Sequence, residues 1–343
     1  MKLKQDHWLF LAPKTDLHCH LDGSLRVSTI LDLAKQQNVT LPATTEAELF
    51  SKIYAGDVAS SLTDYLKGFN ITLKVLQNKA ALYRVAYELI EDCAKENVRY
   101  IEVRYAPTLH QELGLSLEAI VESVLLGLEH GRRDFGVLSG VILCALRSMP
   151  VASSIETARL AVAYKMRGVV AFDLAGDEAH FPAKDHKQAF ELARVEGLPC
   201  TIHAGEAAGP KSISDALFLC GAHRIGHGTN LFENYELEQY VLDFQVPLEI
   251  CLSSNLQTGA CLAISNHPFV SYFKKGLLVT LNTDNRLVTN TTSSLELQIA
   301  QDTFGYSNDQ MKTIIKNGVQ AAFLPFAEKQ ALLRSFSSEL ERF

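Results

Sequence analysis

Residues 15–23 read TDLHCHLDG, a short, partly apolar run of strand length that stops at an aspartate and a glycine. The same format returns as YIEVRYAP (100–107), VLSGVILCALRS (137–148), GVVAFDLAGDE (168–178), LPCTIHAGE (198–206), HRIGHGTN (223–230), VPLEICLSSN (246–255) and LLVTLNTDN (277–285). Between these runs lie stretches such as ALYRVAYELIEDCAKEN, SLEAIVESVLLGLEHGRRDFG and SIETARLAVAYKMRG. Their apolar residues recur every three or four positions, the period of a helix with one buried face. Strands that alternate with helices build parallel sheets, and eight such units suit an α/β fold of the closed (β/α)8 TIM-barrel type, with the helices outside. No Pro-rich linker, low-complexity tract or repeat interrupts residues 1–343, so a single barrel domain is expected. The longest departure is residues 40–80, an insertion after the first strand, which places additional helices over the C-terminal mouth of the barrel.

Hydrophobic residues make up 47% of the chain and charged residues 21%, enough apolar surface for a large core and too much for a disordered chain. The formal charge is −7 with no dense Lys/Arg tract, which argues against nucleic acid or an anionic membrane surface as partner. The apolar patch Trp8–Ala12 is too brief for a signal-peptide core, and no later segment approaches a membrane span; a cytoplasmic location and, by default, a monomer are expected. The seven cysteines are scattered without a CxxC pair, and Cys144, Cys200 and Cys251 sit inside strand-like runs, so they read as reduced core thiols.

Side chains two apart on a strand point to one face, so His18 and His20 project together while Leu17 and Cys19 face away. Two imidazoles on one face chelate zinc, but a lone His-x-His pair also arises by chance. Further signals lie at other strand ends. LPCTI runs into His203, with Glu206 three residues on, and LLVTLNT runs into Asp284. Because all strands of a parallel barrel end at the same mouth, these groups converge there. Three imidazoles and one carboxylate suit a single Zn²⁺ with a position left for water. His227, between two glycines in RIGHGTN, is placed to orient that water or take its proton. Glu206 reads either as the acid of the reaction, which requires burial to raise its pKa, or as a hydrogen-bond partner of a ligand imidazole.

At DLHCHLDGSL, VVAFDLAGDE, TIHAGE, RIGHGT, LSSN and LNTDN, which span almost the whole chain, the sequence resembles the adenosine deaminase family of amidohydrolase barrels. The resemblance implies one zinc held by His18, His20, His203 and Asp284, Glu206 as proton donor to purine N1, and His227 beside the attacking water. It also assigns the Gly176 N–H to purine N3 and Asp22 to the ribose hydroxyls, and it matches Leu62, Tyr65, Leu66 and Phe69 to an apolar lid over the purine. The implied reaction is hydrolysis of adenosine, and of 2′-deoxyadenosine, to the inosine nucleoside and ammonia in purine salvage.

One departure stands out. Many members carry Asp-Pro after the ligand aspartate, whereas here Asn285-Arg286 follows Asp284. Purine N7 is an acceptor; a carboxyl there must be protonated to donate, while the Asn285 amide donates at any pH.

The competing readings are an adenine deaminase acting on the free base and a catalytically silent purine-binding barrel. HLDG rather than HLEG favours a nucleoside over the base, and no ligand or acid is missing, as it would be in a silent relative. A binuclear hydrolase would bring a bridging lysine to the fourth strand end, which here reads FDLAGDE. The deaminase architecture built on HxE and PCxxC is not matched by PCTIH.

Overall fold

In the computed structural model, which describes residues 4–56 and 65–343, eight parallel strands form two four-stranded ladders. β1 (Lys14–His20), β2 (Val98–Tyr105), β3 (Leu138–Leu146) and β4 (Val169–Ala175) make one; β5 (Thr201–Ala204), β6 (Arg224–His227), β7 (Leu248–Ile250) and β8 (Val279–Leu281) make the other. Six of the eight fall within the runs read as strands from the sequence; β1 begins one residue before its run and β2 two residues before. Two seams close them into the expected barrel. At the β4/β5 seam Phe172 lies beside Cys200, and its N–H donates to the Pro199 carbonyl at 3.0 Å. At the other, Cys19 at the end of β1 lies beside Asp284. There the His20 N–H donates to the Asp284 carbonyl and the Asp284 N–H to the His18 carbonyl, both at 2.7 Å. At this second seam the backbone that closes the barrel belongs to His18, His20 and Asp284, three of the residues the sequence singles out as metal ligands.

The outer helices follow from their caps and apolar stripes. Lys79–Lys95 starts at Asn78, whose side chain accepts from the Ala81 N–H, and buries Leu82, Val85, Ala86, Leu89, Ile90 and Cys93. Leu117–Phe135 starts at Ser116 and stops at Gly136, where φ is 77°. All seven cysteines are free and buried. Among the described residues no helix is long and apolar enough to cross a membrane.

The insertion after β1 supplies the helix Glu46–Ile53, then a 3-10 turn, Leu66–Gly68, and a one-turn helix, Phe69–Thr72. The helical spacing of Tyr65, Leu66 and Phe69 is therefore realised as a tightened, broken helix. Gly68 explains the tight fit, since a Cβ there would meet the Ile53 carbonyl oxygen at 2.6 Å. Leu62 lies outside the described residues.

Barrel interiors are ordinarily filled by branched aliphatic side chains. Here Arg104, Arg224, Glu102, Glu249 and Asp173 are fully buried inside. Arg104 donates to Asp173 at 3.0 Å and to Glu249 at 2.7 Å; Arg224 donates to the other Glu249 oxygen at 2.6 Å and also to Glu102. Burial alone would raise the Glu249 pKa, but the two guanidiniums hold it well below the ordinary carboxylate range. Removing one partner leaves a buried charge uncompensated. Glu249→Gln is expected to destabilise the fold by about 3–5 kcal/mol in urea unfolding; a cost below about 1 kcal/mol would mean that the network is not what holds the interior.

Candidate active site

The mouth of the barrel collects His18 and His20 from β1, His203 from β5, His227 from the end of β6, and Asp284 from just beyond β8. His20 Nε2 lies 3.2 Å from His203 Nε2, and Asp284 Oδ1 lies 3.4 Å from both His18 Nε2 and His20 Nε2. Four ligands at about 2.0–2.1 Å from a tetrahedral centre would be roughly 3.3–3.4 Å apart. His18, His20 and Asp284 are spaced as the ligands of a single small cation must be, and His203 stands against His20 beside them.

Protonation agrees with that geometry. His18 Nδ1 pairs with Glu249 at 2.9 Å and His203 Nδ1 with Asp173 at 3.1 Å, which places the ring protons on the far side and leaves each Nε2 lone pair facing the centre. His18 Nε2 is fully buried yet makes no hydrogen bond, an orphaned donor atom of the kind a metal satisfies. Burial lowers the His18 pKa to about 4 and the His20 pKa well below its ordinary value, so both rings are neutral at physiological pH. For His203, burial pushes downward and the Asp173 carboxylate more than offsets it, so its pKa lies above the ordinary value. For Asp284, burial pushes upward but the adjoining His18 and His20 imidazoles hold it well below. Its second oxygen accepts from Ser254 Oγ at 2.5 Å.

Two non-glycine residues here take left-handed backbone conformations, His227 at φ 64° and Asp284 at φ 59°. Such conformations cost energy and persist where the surroundings impose them, commonly at active sites. Each comes at the end of a short barrel strand, where the turn aims the side chain inward.

Glu206 stands beside this cluster and is 6% exposed. Its Oε1 accepts from Thr258 Oγ1 at 3.0 Å and Asn255 Nδ2 at 3.4 Å, while Oε2 lies 3.6 Å from His227 Nε2. Burial raises its pKa above the ordinary glutamate value. Asn255 also contacts His227 Nδ1 at 3.0 Å and, through its oxygen, His267 Nε2 at 3.2 Å.

A cavity of about 390 Å³ opens in front of these groups. It is lined by His20, His203, Glu206, His227 and Asp284, and also by Asp22, Gly176, Asn285, Tyr65, Leu66 and Phe69. Every substrate-contact residue expected from the sequence that lies among the described residues therefore reaches one pocket. Asp22 is 3% exposed, its Oδ1 has no partner, and burial raises its pKa to about 7. Asn285 donates to the Tyr65 hydroxyl at 2.7 Å, and that hydroxyl lies 2.7 Å from Thr289 Oγ1. Tyr65 thus brings a polar link to a segment read as purely apolar. His180, just after the AGDE run, is exposed and pairs with Asp177 at 2.8 Å.

Sequence reasoning missed the supports: Arg104, Asp173 and Glu249 behind His18 and His203, and Ser254, Asn255 and Thr258 around Asp284 and Glu206. The available signal was charge inside strand-like runs, in YIEVRYAP, FDLAG and PLEICLS, which makes sense only for an interior with its own ion pairs.

Three imidazoles and a carboxylate at the C-terminal mouth of an eight-stranded parallel barrel define the chain as a barrel of the amidohydrolase class. The adenosine deaminase family matches residues 13–338. The adenosine deaminase of Clostridium kluyveri is 40% identical over 332 residues, covering 97% of this chain and 95% of that protein. Among solved structures, the adenine deaminase of Arthrobacter aurescens superposes with a TM-score of 0.90 at 26% identity, over 96% of this chain and 99% of that one. The N6-mAMP deaminase of Arabidopsis gives a TM-score of 0.86 at 30% identity, over 96% and 99%. The chain belongs to the adenosine deaminase family of hydrolytic deaminases.

Gly226 in β6 sits against the donor set. A Cβ there would meet His203 Cα at 3.1 Å and His18 Cε1 at 3.2 Å. Both neighbours are pinned, one by its strand and the other by Glu249. Gly226→Ala is expected to weaken metal binding about 10–100-fold in a chelator competition; unchanged affinity would show that the ligands have slack.

Proposed function

We propose that the chain hydrolyses adenosine, and 2′-deoxyadenosine, to the inosine nucleoside and ammonia, with one zinc ion per chain, as a single-domain cytoplasmic enzyme of purine salvage. The observation that carries the reading is Glu206, a buried carboxyl with a raised pKa in the same pocket as His20, His203 and Asp284, three of the candidate metal donors.

The family is metal-dependent, and His18, His20, His203 and Asp284 would hold the ion. When bound, the ion supplies a Lewis acid that brings the pKa of a coordinated water down to roughly 7. Glu206 donates its proton to purine N1, which disrupts ring aromaticity and makes C6 electrophilic. His227, steadied by Asn255, orients the attacking water and accepts its proton. Addition of water at C6 and departure of ammonia complete the exchange of nitrogen for oxygen. Leu66 and Phe69, with Tyr65, form the lid that excludes water, so that preorganised charge acts in a low-dielectric pocket.

Substrate recognition is assigned to the remaining lining groups. The Gly176 N–H serves purine N3, and the unpaired Asp22 oxygen serves the ribose hydroxyls. Asn285 serves N7. Among the described lining residues none is a lysine or arginine, which fits a nucleoside better than a nucleotide.

Ultraviolet assay of the zinc-loaded protein should show conversion of adenosine and none of adenine, with Glu206→Ala lowering kcat by about 10²–10⁴-fold. Turnover of adenine alone would move the assignment to the base. Because Glu206 must be protonated, activity is full below its raised pKa and declines as pH rises through it. A kcat profile without a basic limb would count against the acid role. At N7, Asn285→Asp should raise KM, and increasingly so at higher pH, because only the protonated carboxyl donates; a KM that stays flat with pH would remove N7 from the reading.

A further inference from the structure

We propose that Glu178 is a positioning residue for the reaction: its carboxylate gathers the backbone N–H groups of four successive residues, Gly205 to Ala208, and so sets the place of Glu206. The proposal rests on the acid role given to Glu206.

Glu178 closes the run that follows β4 and is 4% exposed. One of its oxygens accepts from the Gly205 N–H at 2.5 Å. The other accepts from the N–H groups of Glu206 at 2.9 Å, Ala207 at 2.7 Å and Ala208 at 3.2 Å. These residues lie between the end of β5 and the helix Pro210–Ser214, so no strand ladder or helix satisfies those donors. Gly205 makes the turn possible with φ 75°.

The carbonyls of the same loop are held from the opposite side. The Gly205 carbonyl accepts from the Asn230 N–H and from Thr229 Oγ1, both at 2.8 Å. The Asn230 side-chain amide donates to the Glu206 carbonyl at 3.3 Å and the Ala208 carbonyl at 3.0 Å. The backbone around Glu206 is therefore clamped between an acceptor from the loop after β4 and donors from the loop after β6. With the main chain fixed, the Glu206 carboxyl has few positions left, and Thr258, Asn255 and His227 select among them.

A carboxylate is required for the clamp because both of its oxygens accept. In Glu178→Gln one oxygen becomes an NH2 group facing N–H donors, so one of the two sets of hydrogen bonds is lost. Displacement of a reacting group by about 1 Å costs on the order of a hundredfold in rate.

The test compares wild type, E178Q, E206Q and the double variant with adenosine, together with metal content and hydrogen exchange of the 205–208 amides. E178Q should lower kcat about tenfold to a hundredfold with KM changed less than about threefold, keep one metal per chain, and speed exchange at those amides. The double variant should be no slower than E206Q, because a residue that acts only through Glu206 has nothing left to position. Wild-type kcat in E178Q, or losses that multiply in the double variant, would overturn the proposal while leaving the acid role intact. Wild-type kcat in E206Q would overturn both. Should E178Q fail to fold, E178D keeps both accepting oxygens on a shorter arm. It should then show the same kcat-selective loss, and wild-type kcat would again refute the clamp.

Discussion

Arg104 is the hinge of the site. It is fully buried inside the barrel, donating to Asp173 on β4, to Glu249 on β7 and to the Leu17 carbonyl on β1. Asp173 and Glu249 in turn hold the Nδ1 atoms of His203 and His18. One guanidinium therefore fixes the orientation of two imidazoles that arrive on different strands. A buried ion pair adds little net stability over a well-packed apolar core, because desolvation offsets the attraction. Its value here is geometric. Aliphatic side chains fill a barrel without telling an imidazole which nitrogen to present, whereas a carboxylate behind each ring specifies both tautomer and tilt.

The same interior links the chemistry to the closure of the barrel. His18, His20 and Asp284 join β1 to the segment after β8 through their backbones and face one another through their side chains. A shift in that seam would move the donor atoms together with the strands. At the opposite end, Arg224 ties Glu249 and Glu102 to the Ala321 carbonyl and lies 3.7 Å over the Phe323 ring, so the C-terminal segment covers the floor of the charged interior. The network fills the barrel behind the pocket, and Tyr65, Leu66 and Phe69 of the insertion line the pocket itself.

Above the donor set, the polar groups are arranged by loops. Glu206, His227, Asn255 and Thr258 come from three successive strand ends, and each is oriented by a neighbour on a different one. Asn255 alone contacts Glu206, His227 and His267. Tyr65 and Thr289 do the same for Asn285, joining the lid segment to the loop after β8. Function therefore rests on side chains whose positions are set by several short connections at once, on a scaffold rigid enough to keep those connections in register.

The sequence by itself determined the eight strands, their parallel arrangement, and the convergence of His18, His20, His203, His227, Glu206 and Asp284. A period of two along TDLHCHLDG and a common mouth for all strand ends are local rules that need no knowledge of distant contacts. It also marked Asp22, Gly176 and Asn285, by resemblance. Only the tertiary structure decided which nitrogen each histidine presents, that Tyr65 carries a hydroxyl link and lies in a broken helix, and that Glu178, Asn255 and Thr258 hold Glu206. Those features depend on pairings between residues such as Glu178 and Ala208, or Arg104 and Glu249, whose meeting is fixed by strand register and barrel closure. No window of the sequence contains both partners of such a pair, so periodicity and motif spacing carry no signal for it.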